Sequence, residues 1–319
     1  MTNRLSYAIV ALLLCTLIAL TAVVFIYDWP EKDNEDNFVI ERSYRLVYTL
    51  ELNFFDSREI NLNWTVPENH ANFQTVKILN FSTIPSWTTT DENGNNIAHF
   101  SVNPSPNGKL NISMTALITV NATQYQGLSE PIQYDTDSAI FRTYTQPEKF
   151  IESNNPIIID MAHNITQSFL GPLNRSQALC TWVHHNLKYS NFSETPGGAI
   201  WALENRIGDC SEYAFLFVAM CRADNIPARV LNGIVTSSIN ATSWGNKNWE
   251  DVGHDWAEVY LPSQGWVWVD PTSGFYGCSD GEHIAFQAGH YCATLNGCYR
   301  YSFNGNVTIT EDFEIFPIG

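Results

Sequence analysis

The chain has 319 residues, 45% of them hydrophobic and 13% aromatic, enough to bury a core in one large domain or two ordinary ones and too much for a disordered chain. Its 16 Lys and Arg stand against 33 Asp and Glu, a formal net charge of -17. No basic run interleaved with aromatics offers a phosphate-binding face, which excludes nucleic acid as a partner.

Residues 7–27 run through Ala, Ile, Val, Leu and Phe without a charge, and about 20 apolar residues suffice to cross a hydrocarbon core. No small-residue cleavage site follows, and Leu14 before Cys15 does not fit a lipoprotein signal, so an uncleaved transmembrane helix is expected. Arg4 precedes the span, whereas Asp28, Glu31, Asp33, Glu35 and Asp36 follow it with only Lys32 in opposition. That bias makes 1–6 a cytoplasmic stub, 28–37 an acidic linker, and the rest extracellular on a single-pass membrane protein. All the N-x-[ST] acceptor triplets, at Asn63, Asn80, Asn111, Asn121, Asn164, Asn174, Asn191, Asn240 and Asn306, lie on that outer side, as expected of a glycoprotein.

Segments 44–52 and 109–114 alternate apolar and polar residues and read as strands, with turn signals at 91–95 and 103–108 between them. Residues 38–145 are therefore expected to form a β-sandwich-like domain. His70 and His99 stand alone there in polar surroundings and read as solvent-facing. From residue 146 the pattern turns helical, first over 155–169 and then over 175–189. The neighbours His184 and His185 would point about 100° apart on such a helix, cannot share a metal, and read as surface residues.

Gly208-Asp209-Cys210-Ser211-Glu212 precedes the apolar run 215–220, and Asp209 with Glu212 spells a capping box that makes Cys210 the first helical residue. Free amides and the positive end of the helix dipole favour a thiolate there, against the nearby Asp209 carboxylate. Further on, 254–261 and 266–272 are aromatic, β-branched runs around Pro262-Ser263-Gln264-Gly265, the signature of a hairpin. Folding about residue 262 sets His254 beside Asp270, so the carboxylate can orient the imidazole and leave its other nitrogen to activate Cys210.

These residues resemble the transglutaminase-like superfamily, in its branch of prokaryotic membrane-anchored or secreted proteins with a β-rich N-terminal domain. The likeness covers about 38–286 and is sharpest at Gly208-Asp209-Cys210, at 222–230 ending in Ile226-Pro227-Ala228-Arg229-Val230, at His254 with Trp256-Ala257-Glu258-Val259-Tyr260, and at Gly265-Trp266 with Asp270-Pro271-Thr272. It implies an α+β, papain-like core over 146–319: a helix bearing Cys210 packed on an antiparallel sheet bearing His254 and Asp270, preceded by the β-sandwich domain and one transmembrane helix. Asn225 replaces the usual Gly before Ile-Pro-Ala-Arg and is expected to take the same left-handed backbone. Cys210 maps to the nucleophile, His254 to the base and Asp270 to the orienting carboxylate.

The implied activity is acyl transfer through a Cys210 thioester, with hydrolysis of a peptide or isopeptide at the cell surface favoured over amine transfer by a protein-glutamine transglutaminase. A non-catalytic surface binding or scaffold module is the alternative from another class. No cofactor and no metal are implied, since no dinucleotide fingerprint, phosphate loop or oxygen-rich calcium loop is present. His283 and His290 are assigned no chemistry. Cys180 and Cys221 are expected in the core, and Cys278 is a candidate for a disulfide to Cys292 or Cys298. Trp201, Trp244, Trp249 and Trp256 are candidates for an aromatic cleft or, by default, for the core.

Overall fold

The computed structural model describes residues 41–319 apart from 56–58, 71–72, 104, 106, 126–132, 191–195, 237–244, 248–251, 290–298, 304–305 and 319. The expected membrane span 7–27 lies outside the described residues. Among those described, no helix is long and apolar enough to cross a membrane.

The chain begins with β1 (Glu41–Phe54), β2 (Ile60–Val66), β3 (Gln74–Phe81), β4 (Trp87–Thr90), β5 (Asn96–Val102) and β6 (Lys109–Asn121). The helical stretch follows: α1 (Ala139–Tyr144), α2 (Pro156–Thr166), α3 (Gly171–Asn186), β7 (Lys188–Tyr189), α4 (Gly198–Asn205), β8 (Ile207–Gly208) and α5 (Cys210–Ala223). Then come β9 (Ala228–Val235), β10 (Gly245–Lys247), β11 (Gly253–Leu261), β12 (Gly265–Asp270), β13 (Phe275–Tyr276), β14 (His283–Gly289), β15 (Tyr299–Phe303) and β16 (Val307–Ile318).

Alternation makes the first strand amphipathic: Leu46, Tyr48, Leu50, Leu52 and Phe54 are buried, with half-buried or exposed residues between them. β1 lies in a sheet of order β10-β16-β1-β6-β3, facing a second sheet of order β15-β2-β5-β4. Their apolar faces share one core, in which Tyr48 stacks on Phe313 at 4.1 Å and meets Trp64 edge-on at 4.8 Å. Thus β15 and β16, from the far end of the sequence, complete the N-terminal sandwich.

A third sheet, of order β13-β12-β11-β9-β14, positions the site. One face, with Val230, Ala257, Val259, Val267 and Val269, packs under the helices, and α5 is buried along nearly its whole length because it is apolar on every side. The other face, with Leu231, Trp256, Trp268 and Ala285, packs with Phe73 of the β-rich part. Asn225 ends α5 at φ 58, the left-handed backbone expected from the sequence.

Three histidines differ from expectation, among them His99, which is half-buried with its Nδ1 2.8 Å from Asn63 Oδ1. His70 is buried, stacked on Phe73 at 5.0 Å, because the bridge it forms with Gln74 turns it under the third sheet; burial lowers its affinity for a proton. His184 is half-buried, and its Nδ1 donates to the Thr272 carbonyl at 3.0 Å, while His185 is exposed as expected.

Candidate active site

Cys210 opens α5 behind a complete capping box: Asp209 Oδ1 accepts from the Ser211 amide at 2.9 Å and Glu212 Oε2 from the Asp209 amide at 2.9 Å. Gly208 is needed for that turn, because a Cβ there would lie 2.3 Å from Glu212 Cβ. Glu212 also accepts from the Gly197 amide at 2.8 Å, tying the loop before α4 to the same cap. Burial and the neighbouring Asp209 raise the Glu212 carboxyl to about 7.

Cys210 is buried, and its thiol accepts a hydrogen bond from the backbone N–H of Asp255 on β11. Burial first, then the carboxylates of Asp255 and Asp209, push its pKa well above the ordinary value, so the helix terminus does not by itself give a resting thiolate. Asp255 holds its own place through Ser211 Oγ at 2.8 Å and Asn232 Nδ2 at 2.6 Å. The sequence reading passed over Asp255, although its position directly after His254 was the signal available.

His254 and Asp270 meet on the hairpin of β11 and β12. Leu261 pairs with Gly265 and Ala257 with Val269, so one more step along the ladder sets Asp270 level with Trp256. His254, two residues on along the same face, reaches Asp270 diagonally, with Nε2 3.2 Å from Oδ2. A proton on Nε2 donated to that carboxylate leaves Nδ1 with its lone pair. Asp270 is fully buried, and its Oδ1 accepts from the amides of Thr272 at 2.9 Å and Ser273 at 3.3 Å. Burial works against its charge, but the imidazoles of His254 and His283 overcome that and hold its pKa well below the usual range.

His283, to which the sequence reading assigned no role, is therefore part of the site. One donor atom each from His254, Asp270 and His283 lies within 4.8 Å of the others, a spacing that one ion could bridge. In the thiol arrangement His254 and Asp270 use those atoms on each other. Trp256 is core, Trp201 is exposed on α4, and Trp244 and Trp249 lie outside the described residues. Cys180 and Cys221 are buried free thiols, as expected; Cys278 is free and half-buried, and its candidate partners Cys292 and Cys298 lie outside the described residues.

The raised groups set a stability prediction. Glu212 and Glu311 go from 4.5 to about 7 and His283 from 6.5 to about 9, so their contributions are present at low pH and lost as pH rises through those higher values. Asp270, lowered from 3.8, acts in the opposite sense and is lost only in strong acid. For His283 the interval corresponds to about 3 kcal/mol. Thermal melts should give a maximum near about pH 4 to 5 and a steady fall towards pH 9; a maximum at pH 8 would contradict these assignments.

Residues 159–271 match the sequence profile of the transglutaminase-like superfamily. A 78-residue stretch is 36% identical to uncharacterized protein YebA of Bacillus subtilis (strain 168), covering 23% of this chain and 10% of that protein. A 69-residue stretch is 36% identical to a protein-glutamine gamma-glutamyltransferase of Pseudomonas aeruginosa, covering 22% of this chain and 10% of that protein. The chain thus spans about a tenth of the length of these relatives. In fold it is similar to a candidate cysteine protease from Cytophaga hutchinsonii, with TM-score 0.63 and 17% identity over 88% of this chain and 91% of that one. The matched segment 159–271 thus belongs to the transglutaminase-like superfamily, and the fold, a helix packed on an antiparallel sheet, is similar to that of the Cytophaga hutchinsonii protein.

Proposed function

We propose that the chain is an extracytoplasmic thiol hydrolase, anchored through residues 7–27, that cleaves peptide or isopeptide bonds by way of a Cys210 acyl-enzyme. The observation that supports this best is the His254–Asp270 pair at 3.2 Å, on a strand whose next residue, Asp255, holds the Cys210 thiol through its amide.

Because the resting thiol is protonated, His254 Nδ1 takes its proton as sulfur attacks the carbonyl carbon, and Asp270 stabilises the imidazolium that forms. A C–S bond forms and the carbonyl oxygen becomes an oxyanion, met by the Cys210 amide at the start of α5, which the Asp209 cap leaves unused. Collapse breaks the C–N bond, and the imidazolium returns its proton to the departing amine. Water then attacks the thioester, giving its proton to His254, and the acid leaves as the thiol is restored.

The name of the Pseudomonas aeruginosa relative favours a second reading, in which an amine replaces water at this last step. For the outer location, Asn63, Asn80, Asn111, Asn164, Asn174 and Asn306 are exposed and open to glycan attachment.

Mass spectrometry of a glutamine- and lysine-containing peptide, supplied to the purified chain and to the outside of intact cells, tests both parts. Products gaining one water are expected in both. Amine-transfer products alone would overturn hydrolysis, and turnover confined to broken cells would overturn the outer location.

A further inference from the structure

We propose that His283 is a positioning residue of this same site: a second imidazole on Asp270, fixed by Asp280, whose positive charge keeps Asp270 ionised while His254 gives and takes its proton. The inference rests on the proposed thiol chemistry.

The geometry is specific. His283 Nδ1 is 2.9 Å from Asp280 Oδ1, and its Nε2 is 3.7 Å from Asp270 Oδ2. Its side chain is 4% exposed and that of Asp270 0%. The rings of Trp256 and Trp268 stand edge-on to it at 5.1 and 5.0 Å, and the His254 ring lies 5.2 Å away. Gly233 keeps the space open. It pairs with His254 on one side and Ala285 on the other, and a Cβ there would lie 2.1 Å from the Ile284 carbonyl oxygen and 2.8 Å from the Trp256 ring.

The need for a second imidazole follows from the charge carried through one turnover. Before attack His254 is neutral, so a fully buried Asp270 would have two amides but no cation from the pair it serves. A buried carboxylate in that state tends to take up a proton. Once protonated on Oδ2 it could no longer accept from His254 Nε2, and the ring would lose the tautomer that leaves Nδ1 free. A cation on His283 prevents this at every stage. The charged groups facing His283 are Asp270 from β12, Asp280 from the turn before β14, and His254 from β11; Tyr189 and Cys180 lie within the field of Asp270 itself. Burial disfavours the cation, but Asp270 and Asp280 outweigh it and raise His283 to about 9.

The test is the pH profile of Cys210 alkylation by iodoacetamide in wild type, His283→Gln and Asp280→Asn, with thermal midpoints taken alongside. Gln keeps a donor towards Asp270 without the charge. Losing a positive charge 5.2 Å from the His254 ring makes an extra proton easier to hold on the His254–Asp270 pair, and while that proton is held the pair cannot take one from Cys210. The acid limb should therefore move up by about one pH unit in His283→Gln, and by less in Asp280→Asn. Lowered thermal midpoints with superimposed profiles would leave His283 a packing residue only and overturn the proposal. Imidazole nitrogen NMR at pH 8 should find His283 protonated; a neutral ring would overturn it too. That spectrum does not depend on thiol reactivity, so an inert Cys210 would sink the hydrolase reading while the charge on His283 was still decided.

Discussion

A His254→Ala chain is expected to lose about 100- to 10,000-fold in the rate at which Cys210 forms a thioester, and Cys210→Ala to lose it entirely. The size of the effect follows from the state of the thiol. A thiol already ionised by a helix terminus would keep much of its reactivity without a base. Here burial and the carboxylates of Asp255 and Asp209 hold the proton on sulfur, so attack requires a group to take it. In the proposed mechanism that group is His254, whose Nε2 lies 3.2 Å from Asp270. Thioester formation by mass spectrometry and alkylation against pH both measure this. A His254→Ala chain reacting at the wild-type rate would mean that the imidazole does not serve Cys210, and a surface binding module would then be the better reading of the fold.

The largest effect on stability is expected from Arg229→Met, at about 3 to 5 kcal/mol. Arg229 and Glu258 are both buried, paired across β9 and β11 with Nε and Nη2 at 2.8 and 2.7 Å from Glu258 Oε2. The guanidinium also lies 4.1 Å from the Trp266 ring centre and 5.9 Å from that of Tyr144. Removing it leaves a carboxylate inside the protein with no cation. The double variant Arg229→Met/Glu258→Met should recover most of the loss, since neither charge then remains to be desolvated. Thermal unfolding of the two variants checks this, and a single-variant loss under about 1 kcal/mol would show that water reaches Glu258.

The local chemistry of the site was legible in the sequence. The Asp209–Glu212 cap, the left-handed Asn225 and the β11–β12 hairpin each depend on residues within a few positions of one another; the first two stand where the pattern puts them and the hairpin within one residue of it. The turn is centred on residue 263 rather than 262, which makes His254 and Asp270 diagonal instead of directly opposed. Long-range effects were harder to read. His283 reaches Asp270 only because β14 docks on β9, two strands away from β12, and no spacing along the chain encodes that order. His70 looked exposed because its neighbours in sequence are polar, whereas its neighbours in space include Phe73. The thiol's high proton affinity also escaped the sequence, since it arises from burial and from Asp255, brought across from another element.

The antiparallel ladder between β1 and β16 runs from Ser43 with Ile318 to Phe54 with Val307. Its partners are among the most distant in the chain; Tyr48 and Glu311, joined through the tyrosine hydroxyl, are 263 positions apart. During synthesis β1 can pair early with β6, but its other edge stays open until β16 has left the ribosome. At about 5 to 20 residues per second that interval is on the order of tens of seconds, during which the unpaired edge of a long strand with one apolar face is exposed to other chains. The emerging polypeptide thus has a built-in dependence on whatever shields that edge, and the thiol core can be assembled before the sandwich beside it is closed.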